Sequence, residues 1–354
     1  MSTPETSEID KAVEATAPSQ RLTIARAMST ALASEMRADD RVLVLGEDIA
    51  ALGGVFGNCQ GLLDEFGPER VRDTPISETA FIGAAVGLAA VGMRPVVELM
   101  FVDFFGVCMD AIYNLAAKNN YFSGGQTPVP MVLMTSVGGG YGDAGQHSQC
   151  LFGTFAHLPG MKVVIPSNAY DAKGLLIAAI RDPNPVVFMY HKALQGMGWL
   201  GTEKATVVDV PDEPFTVDLG KARLCRQGDD VTLVGFGRTL HVAMEAASLL
   251  CDKGVEADVI DLRSLVPLDK RTLQESIEKT GRLVVIDDDY LSFGVTGEVI
   301  ALACEMSFSD LRASPARIAH PDVPIPFSPA LERPLIPSAA MVVDAVIEQL
   351  EAGQ

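Results

Sequence analysis

Short runs of continuously apolar residues, each followed by a stretch of helical periodicity, constrain this 354-residue chain more than any other feature. Residues 41–45, 71–74, 95–100, 130–135, 161–166 and 185–190 read as strands, with helices over 21–39, 78–91, 105–121 and 168–181. A strand with one wet face alternates apolar and polar residues. Runs that are apolar throughout are buried on both faces, the pattern of a parallel sheet covered by helices. A second unit repeats the pattern, with strands at 231–237, 255–262 and 282–287 and helices at 240–253 and 268–280. Gly254 and Gly281 stand where a left-handed helix cap requires glycine. The stretch 193–220 is dense in Gly, Pro and acids, and a proline-rich run after 315 precedes a closing helix at 339–351. The expected fold class is α/β with two domains, each a mostly parallel sheet flanked by helices. A flexible acidic tail (1–20) is expected first, then a larger domain (21–195), a linker (196–218) and a smaller domain (219–354).

Composition narrows the function. Hydrophobic residues at 48% and charged residues at 21% are globular values. A formal charge of −19 argues against nucleic acid and anionic membranes as partners. The longest nearly uncharged stretch, 81–93, is too short to span a bilayer. The first twenty residues have neither an apolar signal core nor a basic amphipathic pattern, so neither a secretory nor a mitochondrial address is expected. Six cysteines without a C-x-x-C pair read as reduced thiols, which points to the cytoplasm.

The stretch VRDTPISETAFIGAAVGLAAVGMRPVVELMFVDFFG, starting at residue 71, carries the most chemical information. A strand ends near Ile76, Ser77 is suited to cap a helix, and Glu78 falls in the first turn. Acids are favoured there simply because they complement the helix dipole. The following helix is unusually small-sided, with Gly83, Ala84, Ala85, Gly87, Ala89 and Ala90, so another backbone can approach it closely. His147 sits in the glycine-rich GGGYGDAGQHSQ (138–149), where an imidazole could orient a substrate or relay protons. His241 is expected to face solvent from a helix. GGVFG (53–57) and GGGYG (138–142) lack the spacing of a P-loop or a dinucleotide fingerprint, and read as turns that let backbone approach a cofactor or partner.

DTPISE (73–78) with RPVVELMFVDF (94–104) resembles the β subunits of the 2-oxo acid dehydrogenase first component, which are transketolase-like and thiamine-diphosphate-dependent. The likeness continues through GEDIA (46–50), AGQHSQ (144–149), LPGMKVVIPSNAYDAKGLL (158–176), AIRDPNPVVF (179–188), GDDVTLVGFGRT (228–239), EKTGRLVVIDD (278–288) and HPDVPIPFSPALE (320–332). It spans residues 21–350, in order.

This resemblance implies that the cofactor carries the reaction, its thiazolium carbon losing a proton to become nucleophilic. Glu78 would supply the carboxyl that activates the aminopyrimidine ring, and Phe104 would stack on that ring. Glu47 and Ile76 would lie beside the cofactor, and His147 would act on the substrate. A GDG motif for Mg²⁺ and the diphosphate is missing from the sequence. The resemblance therefore implies an α subunit that brings both, in an assembly of two α and two β chains, with a lipoyl-bearing acyltransferase as the further partner. A structural K⁺ is implied at Met131, Ala179, Asp182 and Asn184, where RDPNP is also an ordinary helix-terminating turn. The activity implied is decarboxylation of a 2-oxo acid (pyruvate or branched-chain) or cleavage of acetoin, with acyl transfer to lipoamide. The competing readings are a catalytically silent docking subunit and a flavin-binding electron-transfer protein.

Overall fold

The computed structural model describes residues 18–195 and 204–352. Most of the expected acidic tail (1–17) and the first part of the expected linker (196–203) lie outside the described residues. The strands of the first part are β1 (Ser19–Leu22), β2 (Val42–Gly46), β3 (Val71–Asp73), β4 (Arg94–Phe101), β5 (Val132–Val137), β6 (Lys162–Val164), β7 (Val186–His191) and β8 (Val208–Pro211). The second part adds β9 (Arg223–Arg226), β10 (Val231–Gly235), β11 (Ala257–Asp261), β12 (Ser264–Val266), β13 (Leu283–Tyr290) and β14 (Ala316–His320).

One sheet has seven strands in the order β12-β6-β7-β5-β4-β2-β3, and another has five in the order β14-β13-β10-β11-β9. Pairing is parallel except where β12 meets β6 and where β9 meets β11. β2, β5 and β7 are buried along their whole length, as continuous apolar runs require. Helices Ile24–Ala38 and Ala169–Arg181 cover one face of the larger sheet. Helix Glu78–Ala90 and the segment that follows β4 cover the other. Sequence dictates these helix ends directly. Thr23 Oγ1 accepts from Arg26 N at 3.2 Å, Asn168 Oδ1 accepts from Asp171 N at 2.9 Å, and Gly281 closes helix Lys270–Thr280 at φ 69°.

Four local expectations are corrected. Residues 19–22 form a strand, where 19–20 read as tail and 21–22 as the start of a helix, because they pair antiparallel with β8 nearly two hundred residues away. The single helix expected over 105–121 is broken into helix Phe105–Asp110, a π-helical turn Ala111–Ala116 and a short helix Asn119–Phe122. Cys108 leaves helical geometry inside it, at φ −111° and ψ 15°. His241 is bonded instead of solvent-facing: its Nε2 lies 2.8 Å from Ser167 O. Ser77 makes no capping bond and turns its hydroxyl back to Pro75 O at 3.2 Å.

The two sheets are also stitched together. β12 belongs by sequence to the second unit but pairs with β6 of the first. A single apolar cluster runs from Val97, Phe105 and Ile165 to Val234, Ile260 and Leu283, so the units share a buried face.

Candidate functional site

Ligands of doubly wound α/β sheets lie in the crevice outside the carboxyl ends of the strands. The residues expected to meet the cofactor and substrate emerge there, from neighbouring strands in the run β5-β4-β2-β3. Glu47 follows β2, Ile76 and Glu78 follow β3, Phe104 follows β4, and His147 lies on the loop after β5.

The β2 and β3 ends are tied to each other. Asp73 accepts from Ala50 N at 2.7 Å and Ala51 N at 3.1 Å, and Thr74 N donates to Gly46 O at 2.9 Å. This fixes the GEDIA turn, whose Asp48 sits at φ 56°, against the approach to Glu78. Glu78 is the first residue of its helix and is half-buried. Glu47 is half-buried too, and its Oε1 is enclosed without a hydrogen-bond partner. Burial, and then the negative charge of Glu78, push the Glu47 carboxyl above the usual range. Ile76, by contrast, stands 84% exposed.

His147 stands edge-on to two aromatic rings. Its centroid is 4.9 Å from Phe101 and 5.5 Å from Phe104, and those two rings are 5.6 Å apart. Phe104, expected as a stacking platform, thus forms one wall of an aromatic corner that also seats the imidazole. The loop carrying His147 is anchored to the strand end as well: Asp103 Oδ1 accepts from Gln149 N at 3.2 Å and Gln149 Nε2 at 3.0 Å. Gly138 opens the loop at φ 97°, and a Cβ there would fall 2.0 Å from His191 Nε2. The backbone approach expected of GGGYG is made here to the chain's own residues.

Three buried groups escaped the sequence reading. Glu98, inside β4, accepts from Tyr190 OH at 2.8 Å and Asn58 Nδ2 at 3.3 Å. Burial pushes its carboxyl up. It lies under the glycine turn 53–57, since a Cβ on Gly54 would come 3.4 Å from Glu98 Oε2. A charged residue within an apolar strand was the available signal. Lys192 and Glu332, both buried, contact the His147 loop, and their partners become visible only in three dimensions.

The crevice opens onto an apolar surface. Helix Glu78–Ala90 is hydrophobic on every side, yet Ala80, Ala84, Gly87 and the following Val91 are exposed. Val107, Met109, Tyr113 and Leu115 on the adjoining helical segment are exposed as well. An apolar helix with one open face is the mark of a surface that a partner covers.

The residues expected at a K⁺ site come together around the end of helix Ala169–Arg181. Asp182 Oδ1 accepts from Asn184 N at 2.9 Å and Asn184 Nδ2 at 3.0 Å, and its carboxylate also pairs with Lys162. Met131 O accepts from Val186 N, and Ala179 O from Asp182 N. The carbonyl oxygens of Ile180 and Asp182 converge on one guanidinium nitrogen of Arg94, at 2.7 and 3.3 Å. Among the described residues, no three His, Cys, Asp or Glu side chains gather as a metal-ion set. No described helix is long and apolar enough to cross a membrane. All six cysteines are free thiols, with Cys59, Cys108 and Cys150 buried.

Comparison with known proteins places the chain in a family. Residues 20–196 match the transketolase pyrimidine binding domain, and residues 220–342 the transketolase C-terminal domain. The acetoin:2,6-dichlorophenolindophenol oxidoreductase subunit beta of Cupriavidus necator is 44% identical, over 95% of this chain and 99% of that protein. The pyruvate dehydrogenase E1 component subunit beta-2 of Oryza sativa, a mitochondrial protein, is 42% identical, over 95% of this chain and 88% of that protein. A solved structure described as a split gene transketolase, inactive beta4 tetramer, superposes with a TM-score of 0.75 at 23% identity, over 95% of this chain and 100% of that one, and shows the fold. The chain belongs to the transketolase-like family, among the β subunits of acetoin and pyruvate dehydrogenases.

Proposed function

We propose that this chain supplies the aminopyrimidine half of a thiamine-diphosphate site in a 2-oxo acid or acetoin dehydrogenase, acting as an oxidoreductase only when an α subunit completes the site. The observation that carries the reading is the grouping of Glu47, Ile76, Glu78, Phe104 and His147 at adjoining strand ends, bordered by an exposed apolar helix face. These residues fit the cofactor's pyrimidine end. Glu47 brings an enclosed oxygen with no hydrogen-bond partner among the described residues, Glu78 a second carboxyl, Phe104 an aromatic face and Ile76 an uncovered apolar side chain.

When bound, the cofactor supplies the nucleophilic carbon. Glu78 shares a proton with the aminopyrimidine ring through a carboxyl oxygen, and Glu47, whose carboxyl is pushed up by burial and by the Glu78 charge, stands beside it. Phe104 and Ile76 exclude water from the ring, which strengthens the carboxyl's interaction with it. His147, seated in the aromatic corner, orients the substrate and holds or releases a proton at an imidazole nitrogen.

The remaining parts of the proposal concern what this chain meets. An α subunit brings Mg²⁺ and the diphosphate in an assembly of two α and two β chains, and a lipoyl-bearing acyltransferase takes the acyl group, all in the cytoplasm. A K⁺ at Met131, Ala179, Asp182 and Asn184 would compete with Arg94 for the Asp182 carbonyl and with Lys162 for its carboxylate. Relatives of both acetoin and pyruvate type match at 42–44% identity, so similarity does not choose the substrate. The test is to purify the chain with its α partner and measure reduction of an artificial electron acceptor with pyruvate, branched-chain 2-oxo acids and acetoin in turn. Thiamine-diphosphate-dependent reduction with one of them supports the proposal, and a colourless complex inactive with all of them contradicts it.

A further inference from the structure

His147 is carried by a glycine-rich loop whose own backbone bonds include Gly138 N to Gln149 O at 3.1 Å and His147 N to Ala144 O at 3.4 Å. Five of the twelve residues in GGGYGDAGQHSQ are glycine, and 138–149 contain no helix or strand. A glycine-rich segment loses the most backbone freedom when ordered, so its conformation must be imposed by surrounding groups.

Two buried charges impose it. Glu332, with no exposed surface, closes the short helix Pro329–Glu332 in the C-terminal domain. Its Oε1 accepts from Gly140 N at 2.6 Å and its Oε2 from Gly142 N at 2.9 Å. Lys192, 1% exposed, follows β7. Its ammonium donates to Asp143 Oδ2 at 2.8 Å and to His147 O at 2.5 Å. The same ammonium lies 5.5 Å from the ring centroids of Phe101 and Tyr141, and Phe101 is the ring on which the His147 imidazole rests. Hydrogen bonds to ionised groups are the strong ones, and more so away from water.

We infer that Glu332 and Lys192 are positioning residues that clamp the loop, one at Gly140 and Gly142 and the other at Asp143 and His147, and thereby set where the His147 imidazole stands against Phe101 and Phe104. The dependence is mutual, because each buried charge would be left unpaired if the loop moved away. It follows that the C-terminal domain governs the geometry of a proposed catalytic side chain through Glu332. This inference rests on the role proposed for His147.

The experiment uses the full chain assembled with its α subunit and the variants Glu332→Ala, Glu332→Gln and Lys192→Met. Hydrogen exchange of peptides covering 138–149 is followed by mass spectrometry, alongside kcat, KM and the pH profile of turnover. The expected result is exchange in the loop at least about tenfold faster in Glu332→Ala and Lys192→Met, with peptides from β4 and β5 unchanged. In parallel kcat falls about tenfold or more, the half-saturating thiamine diphosphate concentration stays within about twofold, and the pH profile of turnover changes. Glu332→Gln, which keeps one carbonyl acceptor, falls between wild type and alanine, and it carries the test should the alanine variant fail to assemble. Wild-type exchange in the loop of all three variants overturns the clamp. Faster exchange with unchanged turnover overturns the positioning role by removing His147 from the chemistry.

Discussion

The His147 imidazole stands edge-on to the Phe104 ring, with centroids 5.5 Å apart and planes at 83°. One residue follows β4 and the other lies on the loop after β5, and the parallel pairing of these strands brings them together. The aromatic that would face the cofactor therefore also walls the residue that would face the substrate. A change at Phe104 should be felt by both.

Phe104→Leu keeps the apolar volume of the wall but removes the ring. An aromatic contact is worth about 0.5–1.5 kcal/mol beyond its buried area, so the half-saturating thiamine diphosphate concentration should rise up to about tenfold. Titrating the cofactor into the assembled complex and following turnover checks this. An unchanged affinity would place the ring outside the cofactor site.

Glu47 is held above the usual carboxylate range by burial and by Glu78. The folded value is raised, so its contribution to stability is full below the ordinary Glu pKa and is lost as pH rises through the raised one. Glu47→Gln does not titrate. The variant should match wild type in melting temperature near pH 4 and exceed it by a growing margin toward pH 8, while losing turnover, the trade expected where a site stores destabilising charge. Thermal melts across that pH range, paired with assays, decide it.

Tyr190 OH is one of two donors to the buried Glu98 carboxyl. Tyr190→Phe leaves that carboxyl with Asn58 Nδ2 alone and should cost about 1–3 kcal/mol of stability. Urea unfolding of the purified chain measures the loss. A midpoint equal to wild type would show that the Tyr190 bond does not matter.

Where the two sheets are stitched, burial and the neighbouring Asp171 push the Asp261 carboxyl up to about 7, with Arg263 opposing them. Arg263 pairs with Asp171 at 2.9 Å, and its backbone N donates to Asp261 Oδ1 at 3.2 Å. A raised carboxyl favours folding below its unfolded value near 3.8, and that benefit disappears as pH climbs through about 7. Asp261→Asn should therefore be neutral at pH 4 and stabilising at pH 8, read as a pH-dependent gap between denaturant midpoints. A gap that does not vary with pH would mean that Asp261 ionises normally.

Much of this arrangement was legible in the sequence, for identifiable reasons. β5 and β7 are continuous apolar runs, and helices Ile24–Ala38 and Ala169–Arg181 begin at side chains that cap them, so local pattern and fold agree. The short polar β1 was not legible, because only its distant partner β8 makes it a strand. Crossing of β12 into the larger sheet is likewise a property of tertiary pairing. At the proposed site, Glu78 reads locally as an ordinary first-turn acid, and only the resemblance of the motifs around them singles out Glu78 and Phe104. Glu332 was not legible, since its two partners lie 192 and 190 residues away in the chain. Lys192 follows an apolar strand like any solvent-facing lysine, and only the fold shows that its ammonium is buried in the His147 loop.

Glu78 remains the residue on which the proposal turns. Read locally it is an ordinary acid at the start of a helix. The fold sets it beside Glu47, near an open apolar face, in what we propose is half of a site. The direct measurement is turnover by the α-assembled complex carrying Glu78→Gln, with thiamine diphosphate and Mg²⁺ saturating and assembly confirmed by sedimentation. Loss of activity by about a hundredfold or more, with the complex intact, is expected. Wild-type turnover in that variant would contradict the role given to Glu78.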